Sequence, residues 1–147
     1  MAAALRLTLL RRYPTPAHIV FAAWTQPHLL SRWWAGRDGM VALAQIDPRI
    51  GGSFIIDSKR AKDGAAEEWG VFNAVEDQEL LEFSWCARTA DMHRVTVQFL
   101  ALEDALTEVS LVHFGFADEA ACAAQQARWE IALDALGEFL ANIATDG

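Results

Sequence analysis

The stretch DEAACAAQQARWEIALDALGEFLANIA, residues 118–144, decides how the rest of the chain is read. It contains no proline and is rich in Ala, Glu, Gln and Leu, which lose little on entering a helix. Trp129, Leu133, Leu136, Leu140 and Ile143 recur at three- and four-residue intervals, so they share one stripe. A long C-terminal helix with one apolar face is expected, and that face needs a partner.

The partner lies upstream. Residues 40–46, 53–59, 67–76, 80–87, 93–102 and 106–114 read as strands. Turn-forming Asp63-Gly64, Asp77-Gln78, Thr89-Ala90-Asp91 and Glu103-Asp104 separate the later ones, and connections this short imply antiparallel neighbours. Leu81, Phe83 and Trp85, then Val95, Val97 and Phe99, then Val109, Leu111 and His113 fall on one face. Glu82, Ser84, Thr96, Gln98, Glu108 and Ser110 fall on the other, so the first set is expected to point inward. At the start of the chain Leu5, Leu7 and Leu9 alternate with Arg6 and Thr8, giving a half-buried strand to about Tyr13. Thr15-Pro16 and Thr25-x-Pro27 each read as a capping hydroxyl followed by a proline at the start of a helix, the second helix carrying Leu29, Leu30, Trp33 and Trp34. The order is strand, two short helices, six strands, long helix. An α+β fold follows, in which a curved antiparallel sheet of about seven strands covers its apolar face with the terminal helix.

Composition bounds the function classes. The 147 residues predict one domain spanning 1–147, and 53% hydrophobic residues supply a core without disulfide staples. The net charge of −8 and the scattered basic residues argue against nucleic acid as a partner. Cys86 and Cys122 form no C-x-x-C pair, which suits a reducing compartment. Arg6, Arg11 and Arg12 interrupt the N-terminal apolar run, and no stretch approaches the roughly 20 residues of a membrane span. A cytoplasmic protein without membrane attachment is expected; a homodimer is compatible with the sequence.

Several motifs together resemble the START-related (SRPBCC) helix-grip superfamily, specifically the family named after activators of the heat-shock protein 90 ATPase. They are Thr15-Pro16 followed by Ala23-Trp24-Thr25, the Trp33-Trp34 pair, Asp47-x-Arg49-x-Gly51-Gly52, Trp69-Gly70-x-Phe72, the alternation of Thr107, Val109, Leu111 and His113, and Trp129 with Leu133 and Leu136. Gly36 stands where that family usually has proline, and Arg128 where glycine commonly precedes the helix tryptophan. The resemblance implies a cavity between sheet and long helix that takes a small hydrophobic or amphipathic molecule, with Arg128 narrowing or charging its rim. A chaperone partner is the less expected alternative, because the members that activate the chaperone carry a separate N-terminal domain.

Read residue by residue, the interior supports two accounts. Six tryptophans and eight phenylalanines can fill a small core, yet three indoles, Trp34, Trp85 and Trp129, meeting under one helix can leave an irregular void. The walls of such a cavity would be Trp34, Phe54, Ile56, Phe72, Phe83, Trp85, Val97, Phe99, Leu111, His113, Trp129 and Leu133. His18, His28, His93 and His113 show no metal-ligand spacing, no phosphate loop is present, and no nucleophile motif appears, so neither metal nor cofactor is expected. A cyclase- or hydrolase-type enzyme using the same cavity would have to rely on Asn73, Thr107 or His113. Asp47 and Arg49 read as a braced turn beside Gly51-Gly52, and Glu67-Glu68 as a solvated strand start. Deleting the chain from Ala120 onward should expose the apolar sheet face and abolish the cooperative thermal transition; a truncated chain that still melts cooperatively would contradict this architecture.

Overall fold

The alternation in the first strand and the late strands makes one sheet. The computed structural model describes residues 5–61, 64–87 and 92–146. In chain order the elements are β1 (Arg6–Tyr13), α1 (Ala17–Thr25), α2 (Pro27–Leu30), β2 (Met40–Ile46), β3 (Ser53–Arg60), β4 (Gly64–Glu76), β5 (Leu80–Ala87), β6 (His93–Glu103), β7 (Leu106–Phe114) and α3 (Glu119–Asp146). The seven strands form one antiparallel sheet in the order β1-β7-β6-β5-β4-β3-β2, so the first strand closes against the last. Register aligns the inward side chains into rungs: Leu7, His113, Val95, Phe83 and Phe72 lie across five strands, with Leu9, Leu111, Val97 and Leu81 beside them. Irregularities at Val41/Leu43, Phe72/Ala74 and Ala101/Glu103 bend the strands and help the sheet curve.

Helix α3 covers the concave face, as its stripe requires. Asp118 caps it, Oδ1 accepting from the Ala121 N–H at 2.8 Å. Trp129, Leu133, Leu136 and Leu140 are buried, and Ile143 is half-buried at the C-terminal end of the stripe. Tyr13 fastens β1 to the helix, its hydroxyl donating to the Leu133 carbonyl at 2.9 Å, and burial pushes that phenol's pKa up. This is the expected helix-grip arrangement.

Local expectations fail at four places. Thr15 does not cap α1, since Pro16 occupies the cap position and no side chain bonds there; the Thr15 carbonyl instead accepts from the buried Thr107 hydroxyl at 2.7 Å. Thr25 ends α1 by bonding back to the Phe21 carbonyl at 3.0 Å, and Gln26 takes the cap position of α2. Helix α2 stops at Leu30, so Trp33 and Trp34 sit in the turns that follow, held by Trp33 N–H and Trp34 N–H to the Leu30 carbonyl. Strand β4 begins at Gly64, three residues before the expected start. Asp63 of one expected turn and Thr89-Ala90-Asp91 of another lie outside the described residues.

The corner before β3 behaves as its residues dictate. Arg49 Nε donates to both carboxylate oxygens of Asp47, at 3.0 and 2.8 Å, on the surface. Gly51 has φ +84°, and a Cβ at Gly52 would stand 2.2 Å from the Asp47 carbonyl oxygen, so the turn demands both glycines. At Gly36, one of the two departures from the family pattern, φ is +85° and a Cβ would meet Ile131 of α3 at 2.6 Å. Gly36→Ala should therefore cost about 1–2 kcal/mol, and Gly36→Pro about 3 kcal/mol or more because proline cannot reach a positive φ. Denaturant midpoints checked against an unchanged m-value would measure both; equal stability of the proline variant would refute the backbone argument.

Candidate functional site

All twelve residues expected to line a cavity are buried, and the fold brings them together under α3. The interior they share is packed rather than roomy. Trp34, Phe54, Ile56, Phe72 and Phe83, joined by Trp24, Leu30, Ile46 and Leu81, line a small void of about 20 Å³, the space of about one water. Trp85, Val97, Phe99, Leu111, His113, Trp129 and Leu133 do not border it. Edge-on aromatic contacts account for the filling: Phe54 to Phe83 at 5.2 Å and Trp34 to Trp129 at 5.3 Å between centroids, with Trp24 stacked on Trp129 at 6.0 Å. Trp69, expected in the core, is 40% exposed, because alternation along β4 turns it to the outer face.

The larger space lies outside this core. A groove of about 550 Å³ runs between segment 35–39, the end of β3 at Arg60 and Ala61, and the α3 residues Ala124, Ala127, Arg128 and Ile131. Small alanines on the helix make room for it. Among the described residues its wall carries three arginines, Arg37, Arg60 and Arg128, and one acidic side chain, Asp38. Arg37 also approaches Glu138 at 3.8 Å. Arg128, which stands where the family commonly has glycine, lies in the wall of this groove and donates to Gln125 Oε1 at 3.4 Å.

Between groove and void stands a polar floor that leaves no room for water, made by Trp34, Arg60, Glu68, Gln125, Arg128, Trp129 and Ala132. Glu68 organises it and is not the solvated strand start that its neighbour Glu67 suggests. Oε1 accepts from Trp34 Nε1 at 3.0 Å and from Arg60 Nη2 at 3.3 Å, while Oε2 accepts from Trp85 Nε1 at 3.0 Å. A buried carboxylate persists when several donors replace its water, and here two indoles and a guanidinium do so. Arg60 spends one side-chain hydrogen bond among the described residues, although its side chain is only 10% exposed. Ser58, two residues earlier on the same face of β3, has a buried hydroxyl without a partner among the described residues. The signal was present in the sequence: Ser58 and Arg60 continue the inward phase of Phe54 and Ile56, and Glu68 that of Phe72.

The enzymatic candidates do not converge. Asn73 is exposed on the outer face, and Thr107 is spent on the Thr15 carbonyl. His113 is fully buried, its Nδ1 accepting from Trp129 Nε1 at 3.0 Å and its Nε2 lying 2.9 Å from His93 Nδ1. An indole N–H can only donate, so Nδ1 must be bare and Nε2 carries the proton that His93 accepts. Both ring nitrogens are therefore occupied. Burial first, and His93 second, push the His113 pKa from its ordinary 6.5 down to about 3. Between those values the unfolded chain binds a proton that the native protein does not. The stability this group contributes is complete above pH 6.5 and is lost as pH falls toward 3, with a slope of up to about 1.4 kcal/mol per pH unit. His113→Gln should flatten that slope in urea melts between pH 6.5 and 4; an unchanged slope would show that other groups set the acid sensitivity.

Among the described residues, no group of three or more His, Cys, Asp or Glu side chains could hold a metal ion, and no helix is long and apolar enough to cross a membrane. The fold recurs widely among solved structures. A protein from Rhodobacter sphaeroides is 24% identical, with 96% of this chain and 95% of that chain covered and a TM-score of 0.82. CalU16 from Micromonospora echinospora is 26% identical, with coverages of 97% and 80% and a TM-score of 0.72. A heat-shock protein 90 activator from Plasmodium falciparum is 20% identical, with coverages of 92% and 96% and a TM-score of 0.73. No curated protein sequence matches the chain. The sequence profile of the Activator of Hsp90 ATPase homolog 1-like protein family matches residues 14–141, nearly the whole chain and all three helices but for the tip of α3, and the protein belongs to that family.

Proposed function

We propose that the protein binds a small amphipathic anion in the groove, with the anionic end against Arg60 and Arg128 and the apolar body along Ala124, Ala127 and Ile131. The observation that carries this reading is the groove of about 550 Å³ whose wall gathers Arg37, Arg60 and Arg128 in a chain of net charge −8. Guanidinium forks hold a carboxylate or sulfonate by paired, charge-assisted hydrogen bonds, and among the described residues Arg60 makes one side-chain hydrogen bond, to Glu68. Alanines 124 and 127 and Ile131 offer the apolar flank that an amphipathic molecule needs. Binding rather than catalysis is favoured because the one buried imidazole, His113, has both nitrogens engaged within the protein. Chaperone activation, which the family's name raises, would engage an outer surface and would leave the groove without a role.

The groove reading predicts specific losses. 1-Anilinonaphthalene-8-sulfonate should bind the native protein at micromolar level. Ala127→Trp, on an exposed stretch of α3, should raise Kd at least about tenfold by filling the groove without touching the core. Arg128→Gln should weaken the dye about tenfold, the scale of one charge-assisted hydrogen bond. Native mass spectrometry of protein taken directly from cells should show a retained small anion in the parent chain and none in Ala127→Trp. Equal dye binding by parent and Ala127→Trp would overturn the reading.

A further inference from the structure

An open sheet has two edge strands, and in this chain they are built differently. The order β1-β7-β6-β5-β4-β3-β2 leaves one side of β1 and one side of β2 without a neighbouring strand. Strand β1 is guarded: it carries Arg6, Arg11 and Arg12, α3 packs beside it, and Arg11 reaches Asp134 of that helix at 3.8 Å. Strand β2 has no such protection. Its sequence, MVALAQI, holds neither charge nor proline, and among the described residues it is the one strand of the seven without a charged side chain. A register irregularity between Val41 and Leu43 bends its start, but Leu43, Ala44, Gln45 and Ile46 pair regularly with Asp57, Ile56, Ile55 and Phe54 of β3. The outer face beside this edge is apolar as well. Met40 and Leu43 are 69% and 41% exposed, and Ile55 and Trp69, cross-strand neighbours on β3 and β4, are exposed with them.

We infer that β2 is an interface between two copies of this chain, which pair edge to edge and antiparallel about a two-fold axis, joining their sheets into one. The N–H and C=O groups along an edge pair with an extended strand, which sets the geometry. Charge sets the partner. A two-fold contact places a surface against itself, so that surface must be self-complementary. A chain of net charge −8 repels its own copy over most approaches, whereas β2 brings no charge into the rungs. Pairing centred on Leu43 or on Ala44 keeps outer side chains with outer ones, and it sets Leu43 opposite or diagonal to Leu43 of the second copy, within about 8 Å. The apolar strip of Trp69, Ile55 and Leu43 then continues across the axis into its own copy. One seven-residue strand is about 23 Å long and buries less than the roughly 1,200 Å² at the small end of stable interfaces. Val41, Ala44 and Ile46 already pack on the core of their own copy, so each copy folds alone and the dimer is reversible. No residue of β2 lines the groove, and the interface is independent of what the groove binds.

Sedimentation equilibrium of the whole chain, from about 10 μM to about 1 mM, should show a monomer–dimer equilibrium with a Kd in the micromolar range. Leu43→Lys is the decisive variant. Within one copy the introduced ammonium stands across from Asp57, a favourable pair on the outer face, so the fold is kept; an unchanged thermal midpoint at low concentration checks this. Across the axis it sets two like charges near one another and should raise the dimer Kd about fivefold to tenfold. Leu100→Lys, at an exposed outer position of β6 away from the edge, should leave the Kd unchanged. Backbone amide hydrogen exchange of the parent chain gives a reading without substitution: protection should rise with concentration in residues 40–46 and stay constant in β1, the guarded edge. A chain that stays monomeric to about 1 mM overturns the interface, even if its β2 takes up an unrelated extended peptide. A dimer that Leu43→Lys leaves intact, that Leu100→Lys weakens as much, or that adds no protection at β2 overturns it equally.

Discussion

Trp129 ties the two layers of this protein together. From the middle of α3 it donates its N–H to His113 on β7, stacks on Trp24 of α1 and meets Trp34 edge-on, so one side chain fixes helix, sheet and the segment after α2 relative to one another. The bond requires an imidazole with a bare Nδ1, and burial, which lowers the His113 pKa, favours that neutral form. The alignment of β1, β7, β6 and β5 through Leu7, His113, Val95 and Phe83 then carries that position across the sheet.

A second buried polar group sets the character of the site. Glu68 gathers Trp34, Trp85 and Arg60 at the end of the apolar interior, forming a floor between a tight void and an open cationic groove. An ion pair buried in this way adds little net stability against well-packed apolar residues, yet removing one member leaves the other charge stranded. Its retention is more readily understood through position than through stability. It holds Arg60 at the inner edge of the groove, and it holds Trp34 between the groove and the void beside Trp24.

Gly36 and Arg128, the two departures from the family pattern, act on the same groove from opposite walls. Gly36 brings segment 35–39 against Ile131 with a backbone that proline cannot adopt, and Arg128 adds a guanidinium on the helix side.

Alternation and helical spacing are local properties, and the sequence alone therefore determined the seven strands, the terminal helix, and the inward phase of Phe83, Val97, Leu111 and His113. The motifs at Asp47, Trp33-Trp34 and Trp129 were legible for the same reason and carried the family. Thr15 and Thr25 misled, because whether a hydroxyl caps a helix or bonds back to a carbonyl depends on the path of the chain at that point. Glu68 and Trp69 exchanged their expected places, since a charge in the inward phase is tolerated only where distant donors arrive, and Trp34, Trp85 and Arg60 come from three other segments. Whether the interior was filled or hollow, and where the open space lay, is a sum over side-chain volumes meeting in three dimensions. That sum belongs to packing, and only the tertiary structure decided it.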